Sequence, residues 1–105
     1  MNDFSILLPN GNIAPPTIVV ASSSHDRVVV RVVARDGAVG KGRLVTIDTG
    51  GALLPLSAVT GALDATGTFQ FTVGPASGLS AFWKGNFSLD ITVGGHTKSQ
   101  GFKFI

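Results

Sequence analysis

Along most of this chain apolar and polar residues alternate at every second position, and the interruptions are glycine, proline, serine and asparagine. A two-residue period puts successive side chains on opposite faces of an extended strand, whereas an amphipathic helix needs apolar positions three and four apart. The clearest run is Asp26 to Arg35, with Val28, Val30, Val32 and Ala34 on one face and Arg27, Val29, Arg31, Val33 and Arg35 on the other. Thr68 to Val73 repeats the pattern, with Phe69, Phe71 and Val73 inward and Thr68, Gln70 and Thr72 outward. Phe87, Leu89, Ile91 and Val93 alternate in the same way with Ser88, Asp90 and Thr92. Gly94-Gly95 is a two-residue hairpin signal, and it leads into a last strand from His96 to Ile105 with Phe102 and Phe104 on one face.

Shorter elements fill the remainder. Thr17 to Ala21 reads as a strand ended by Ser22-Ser23-Ser24, and Arg43 to Asp48 reads as another, between the Asp36-Gly37 turn and Gly50-Gly51. A weaker stretch from Leu53 to Thr60 carries Pro55, which cannot donate to a ladder and so suggests an edge position. Asp64-Ala65-Thr66-Gly67 has the chemistry of a type I turn. With turns recurring every eight to twelve residues or so, about seven strands are expected, which favours an all-β immunoglobulin-like sandwich of antiparallel sheets over an open barrel. The expected division is an irregular N-terminal arm over residues 1–16 and a sandwich domain over 17–105.

Part of this order has a familiar look. Val32-Val33-Ala34-Arg35-Asp36-Gly37, Gly40-Lys41-Gly42, Val45-Thr46-Ile47, Gly50-Gly51-Ala52-Leu53, Ser57-Ala58-Val59-Thr60 and Asp64-Ala65-Thr66-Gly67-Thr68-Phe69 together resemble bacterial immunoglobulin-like domains of the invasin and intimin type. The resemblance covers about half the chain and rests mainly on turn residues. It implies the same sandwich and a role in binding or scaffolding. Related modules serve as accessory domains on phage heads and tails.

Composition narrows the function classes. Apolar residues make up 44% of the chain and charged ones 13%, against roughly 25% charged in an average soluble domain. No apolar run approaches the roughly 20 residues that span a bilayer as a helix, so no membrane partner is expected and the apolar excess belongs to a core and to contact surfaces. A net charge of +2 does not point to nucleic acid. The absence of Cys excludes disulfides and thiolate metal sites. Met1-Asn2-Asp3-Phe4 lacks a basic leader region, and Pro9 interrupts the short apolar stretch that follows, so the start reads as an unprocessed cytosolic product.

Candidate chemistry is sparse. Ser24, His25 and Asp26 are neighbours in sequence, but consecutive strand residues face opposite ways, so a catalytic triad is not expected there. His96 stands apart, and the chain contains no Glu, the commonest bidentate calcium ligand. Asp36 and Asp64 fit turns whose side chains bond the backbone. No enzyme activity, cofactor or metal is expected.

Three groups of residues are candidates for partner binding. Arg27, Arg31 and Arg35 would lie about 7 Å apart along one strand face, either as a solvated outer face or as a docking strip for an acidic partner. Trp83, between Phe82 and Lys84, is either a core residue or an exposed glycan platform. Phe4, Ile6, Leu7 and Leu8 would either pack on their own domain or lie across a neighbour. The expected role is a non-catalytic phage virion accessory, a capsid decoration or tail-associated protein, located in the virion. Its partner would be a capsid or other virion protein, or a further copy of itself in a homo-oligomer. The alternative is a receptor- or glycan-binding module of a bacterial surface adhesin.

Overall fold

The computed structural model describes residues 3–20, 28–50, 56–74 and 85–105. Among these residues lie eight strands: β1 (Phe4–Leu7), β2 (Thr17–Val20), β3 (Val28–Ala34), β4 (Leu44–Asp48), β5 (Thr60–Ala62), β6 (Thr68–Val73), β7 (Gly85–Val93) and β8 (His96–Phe104). They build a three-stranded sheet in the order β1-β3-β6 and a five-stranded sheet in the order β2-β8-β7-β4-β5. The only helix in the described residues is one 3₁₀ turn at Gly37–Gly40.

The alternating runs become the central strands. In β3, Val30, Val32 and Ala34 are buried, while Val29, Arg31 and Val33 on the other face are half-covered. Phe71 and Val73 of β6 face them across the ladder or from the next row, with Val30 opposite Phe71 and Val28 opposite Val73. The five-stranded sheet supplies the other wall of the core through Val45, Ile47, Leu89, Ile91, Val93, Phe102 and Phe104. Gly94 and Gly95 both have positive φ, 55° and 86°, as a type I′ turn requires. That turn sets the long β7–β8 register from Val93 opposite His96 to Gly85 opposite Phe104.

Low charge has a visible counterpart on the outer face of the larger sheet. Thr60, Thr46, Thr92 and Thr97 oppose one another in turn across β5, β4, β7 and β8, and the hydroxyls of Thr92 and Thr97 are 2.8 Å apart. In the next row the Ser99 hydroxyl donates to Asp90 at 2.6 Å. This face is wetted largely by hydroxyls.

Two expectations need correction. The first concerns residues 1–16, which were expected to form an irregular arm. Phe4 and Ile6 lie on the inward face of β1, fully or nearly buried, and β1 pairs antiparallel with β3, from Phe4 opposite Ala34 to Leu7 opposite Arg31. Leu8 packs against the core and Leu7 is half-covered, so the apolar cluster is chiefly the domain's own packing. The chain then doubles back: Leu8 N–H donates to Asn12 O, Gly11 N–H to Leu8 O and Ala14 N–H to Ile6 O, which covers the outer edge of β1. An uncovered edge would invite pairing with another chain.

The second concerns strand number and direction. Among the described residues eight strands are present where about seven were expected, and one of their ladders is parallel, β2 against β8 from Thr17 opposite Gly101 to Val20 opposite Phe104. The segment through Pro15-Pro16 carries the chain from the edge of the smaller sheet to the edge of the larger one. A strand delivered that way needs no hairpin to its partner and can run alongside it in the same direction.

The weak stretch expected from Leu53 to Thr60 is described only from Leu56. There Leu56 bridges Val73, Ser57 exchanges hydrogen bonds with Thr72, and the strand proper begins at Thr60 as the edge strand β5. Ala21 to Arg27, with Ser24, His25 and Asp26, lies outside the described residues, as does the stretch with Phe82, Trp83 and Lys84.

Candidate functional site

Strand β8 carries a face of mixed character. Counting back from Phe104 by twos gives Phe102, Gln100, Lys98 and His96, so the row that ends as core begins as polar side chains. Gln100 is only 3% exposed, and a buried amide at that depth requires partners. Its Nε2 donates to the carbonyl of Pro15 at 2.8 Å and to that of Gly101 at 3.0 Å. The carbonyl of Pro16 accepts the Gly101 N–H at 3.1 Å. A strap of residues 13–16 is thereby held against β8, between the two sheets' edges.

Lys98, one step nearer the turn, reaches the N-terminal strand. Its ammonium lies 3.2 Å from Asp3 Oδ2 and 5.4 Å from the centre of the Phe4 ring, a cation–π distance. Arg35, just beyond β3, faces Asp3 across the β1–β3 register: its N–H donates to the Asp3 carbonyl at 2.9 Å and its Nε is 3.6 Å from Asp3 Oδ2. Two cations therefore share one carboxylate, leaving the trio with one positive charge in excess.

Beside this trio an open cleft of about 330 Å³ runs along the strap. Ser5, Ile13, Pro15, Arg35, Lys98 and Ser99 are among the residues that line it. Ile13 is 76% exposed, so the apolar wall faces solvent. The cleft thus combines a cationic end with an aliphatic and prolyl wall. Pockets that orient small or peptidic ligands commonly have such a makeup, with few polar groups set in apolar surroundings.

The Asp3 carboxyl is held below its ordinary range, chiefly by the Phe4 N–H donating to Oδ1 at 2.8 Å, which outweighs the opposing effect of desolvation, and further by Lys98 and Arg35. Asp64 is lowered as well, first by the Thr66 hydroxyl and then by the N–H groups of Thr68 and Thr66, which all donate to Oδ1. A carboxyl with a depressed folded-state pKa stabilises the fold above its unfolded pKa, and that contribution disappears as pH falls through the folded value. Stability is accordingly expected to stay level from pH 7 to about 5 and to fall below the ordinary carboxylate range of about 4. Thermal melts across pH 2–7 check this, and Asp3→Asn with Asp64→Asn should flatten the acid limb; an unchanged limb would show that other groups govern it.

Of the residues singled out from sequence, the structure brings Phe4 and Arg35 to this cluster and keeps Arg31 away from it. Arg31 Nε donates to Gln70 Oε1 at 3.2 Å, on the outer face of the smaller sheet. Phe4 and Ile6 serve the core. Leu7 and Leu8 are half-covered beside them. Arg27 and Trp83 lie outside the described residues. Asp64 is used as expected, its carboxylate closing a turn in which Gly67 N–H donates to Asp64 O at 3.0 Å. Sequence reading missed Asp3, Lys98 and Gln100. Alternation backward from Phe102 would have placed Gln100 and Lys98 on the inward face, but nothing local pairs them with residues 3 and 15. Among the described residues no three metal-ligating side chains gather.

No family model matches the sequence, and no curated protein matches it. Solved structures do. The D00-D0 domain of intimin superposes with a TM-score of 0.61 over 99% of this chain at 11% identity, and the chain spans 46% of the length of that fragment. WR4, a C. elegans MSP family member, superposes with a TM-score of 0.51 over 87% of this chain and 92% of its own, at 14% identity. At such identities the likeness speaks for architecture alone, and together with the two packed sheets it establishes an immunoglobulin-like β-sandwich.

Proposed function

We propose that this chain is a non-catalytic binding module of the kind found in bacterial surface adhesins. The observation that carries the reading is the extent of the likeness to the intimin fragment, which runs through 99% of the chain. The surface supports it: a hydroxyl-rich outer sheet face and a solvent-open cleft suit contact with another molecule. A virion accessory role drew in part on a free apolar arm, and Phe4 and Ile6 are spent in the core. Fold by itself hosts many roles, so the reading rests on a binding test.

The test joins two measurements. Light scattering of the purified chain at low and high salt is expected to give a monomer. Immobilised extracellular-matrix glycoproteins and a glycan array are expected to capture that monomer saturably. A salt-resistant closed oligomer without capture would overturn the adhesin reading in favour of an assembly component such as a virion protein.

A further inference from the structure

We infer that the cleft along the strap is a recognition site for an acidic peptide segment, in which Arg35 and Lys98 take an Asp or Glu carboxylate and Ile13, Pro15 and Pro16 take an adjoining aliphatic side chain. The inference deepens the binding-module reading and rests on it.

The argument begins with what already occupies the cationic end. Asp3 is a peptide aspartate, followed by a large apolar residue, and its Oδ2 lies 3.2 Å from Lys98 Nζ and 3.6 Å from Arg35 Nε. The geometry thus accepts this chemistry within its own chain. One carboxylate between two cations leaves a positive charge uncompensated, and Arg35 keeps 61% of its side chain exposed. A guanidinium is a planar fork suited to a second carboxylate, and an ammonium has three donors. Arg35, at 3.6 Å from the carboxylate, is the looser and more exposed of the two pairs.

The rest of the cleft decides between classes of acidic ligand. Its wall is aliphatic and prolyl, and Ile13 is largely exposed there. A sugar acid would call for an exposed aromatic face, whereas Phe4, whose ring centre lies 5.4 Å from the Lys98 ammonium, is fully buried, and no described residue lining the cleft is aromatic. An aliphatic side chain next to a carboxylate matches both halves of the lining. Because the strap is fixed by Gln100 and Gly101, the wall is preformed and binding orders little of the protein.

Asp3 then acts as an internal competitor, and removing its charge should improve binding. The probe is the blocked tripeptide acetyl-Leu-Asp-Leu-amide, titrated into the isotopically labelled chain at low salt and followed by amide NMR shifts. Saturable shifts at Ser5, Lys98 and Ser99 are expected, and none with the Asn analogue of the peptide. Asp3→Asn should bind about threefold more tightly, the scale of an exposed ion pair. Lys98→Met and Arg35→Gln should each weaken binding at least as much. Lys103→Gln, which removes the same charge from another face of the sandwich, should leave it unchanged.

Equal weakening by Lys103→Gln and Lys98→Met would reduce the effect to net charge and overturn the site. So would equal binding of the Asn peptide, or an Asp3→Asn variant that keeps its dispersed spectrum but binds no better. Sodium acetate that produces the same shifts at the same concentration would make this an anion site and overturn the peptide assignment. If the tripeptide binds as expected while no glycoprotein captures the chain, the adhesin reading fails and the site stands. If capture occurs and Lys98→Met does not alter the tripeptide shifts, the site fails and the adhesin reading stands.

Discussion

Replacing Gly67 by alanine is expected to lower the unfolding free energy by about 3 kcal/mol, from about 1–2 for the backbone conformation and about 1–3 for overpacking. Gly67 closes the Asp64 turn with φ at +80°, and a Cβ built there would fall on the carbonyl oxygen of Gly37. That obstacle is main chain, from the turn that follows β3, and it cannot rotate aside as a side chain would. Gly67 is also buried, its N–H donates to Asp64 O, and its carbonyl accepts the Ala34 N–H at 2.9 Å, so any escape breaks the junction of β3 with β6. In a domain of this size a loss of about 3 kcal/mol corresponds to a fall in Tm of roughly 15 °C.

A control separates the two causes. Gly42 has the same φ of +80° but nothing within 4 Å of an added Cβ. Gly42→Ala should therefore cost only the conformational part, about 1–2 kcal/mol. Gly67→Asn, which tolerates a left-handed backbone, should still fail because the collision remains. Equal losses at Gly42 and Gly67, by urea denaturation followed by circular dichroism, would show that the approach to Gly37 relaxes at no cost.

Phe102→Ala is expected to be at least as damaging, at about 3–5 kcal/mol, the usual range for emptying a buried aromatic site. The Phe102 ring is fully buried and lies 6.4 Å from that of Phe104, near parallel, while Phe104 meets Phe87 edge-on at 5.7 Å. The sandwich is closed by paired β-ladders on both walls, which resist collapse into the space a missing ring leaves. Natural domains are stable by only about 5–15 kcal/mol, so this variant should be partly unfolded near 37 °C. Phe102→Leu keeps most of the volume and should cost less than half as much. Denaturation midpoints of the two variants check the order; a Phe102→Ala loss below about 1 kcal/mol would mean that the core repacks around the space.

How far the fold could be read in advance follows from the range of the forces involved. Alternation marks β3, β6, β7 and β8 because a strand between water and a core exposes every second side chain to each, and that constraint acts residue by residue. The Gly94-Gly95 hairpin was legible for the same reason: positive φ at both turn positions is a local demand that glycine meets at little cost. The type I turn at Asp64 was equally plain, since its hydrogen bonds run only to residues 66–68. Phe4-Ser5-Ile6 also alternates, but Leu7 and Leu8 break the pattern before Pro9, and so short a run does not tell a strand from an apolar tail. Its identity as β1 depends on β3 accepting it as an edge.

What the sequence by itself determined is the all-β class, the inward faces of the central strands, and the turns between them, because each follows from near-neighbour chemistry and from the sorting of side chains by water. What only the tertiary structure decided is pairing over distance. The parallel alignment of β2 with β8, the capture of residues 13–16 by Gln100 and Gly101, and the sharing of Asp3 by Arg35 and Lys98 all join opposite parts of the chain. No local pattern encodes such a contact, since its free energy exists only once two sheets have packed and brought the partners together.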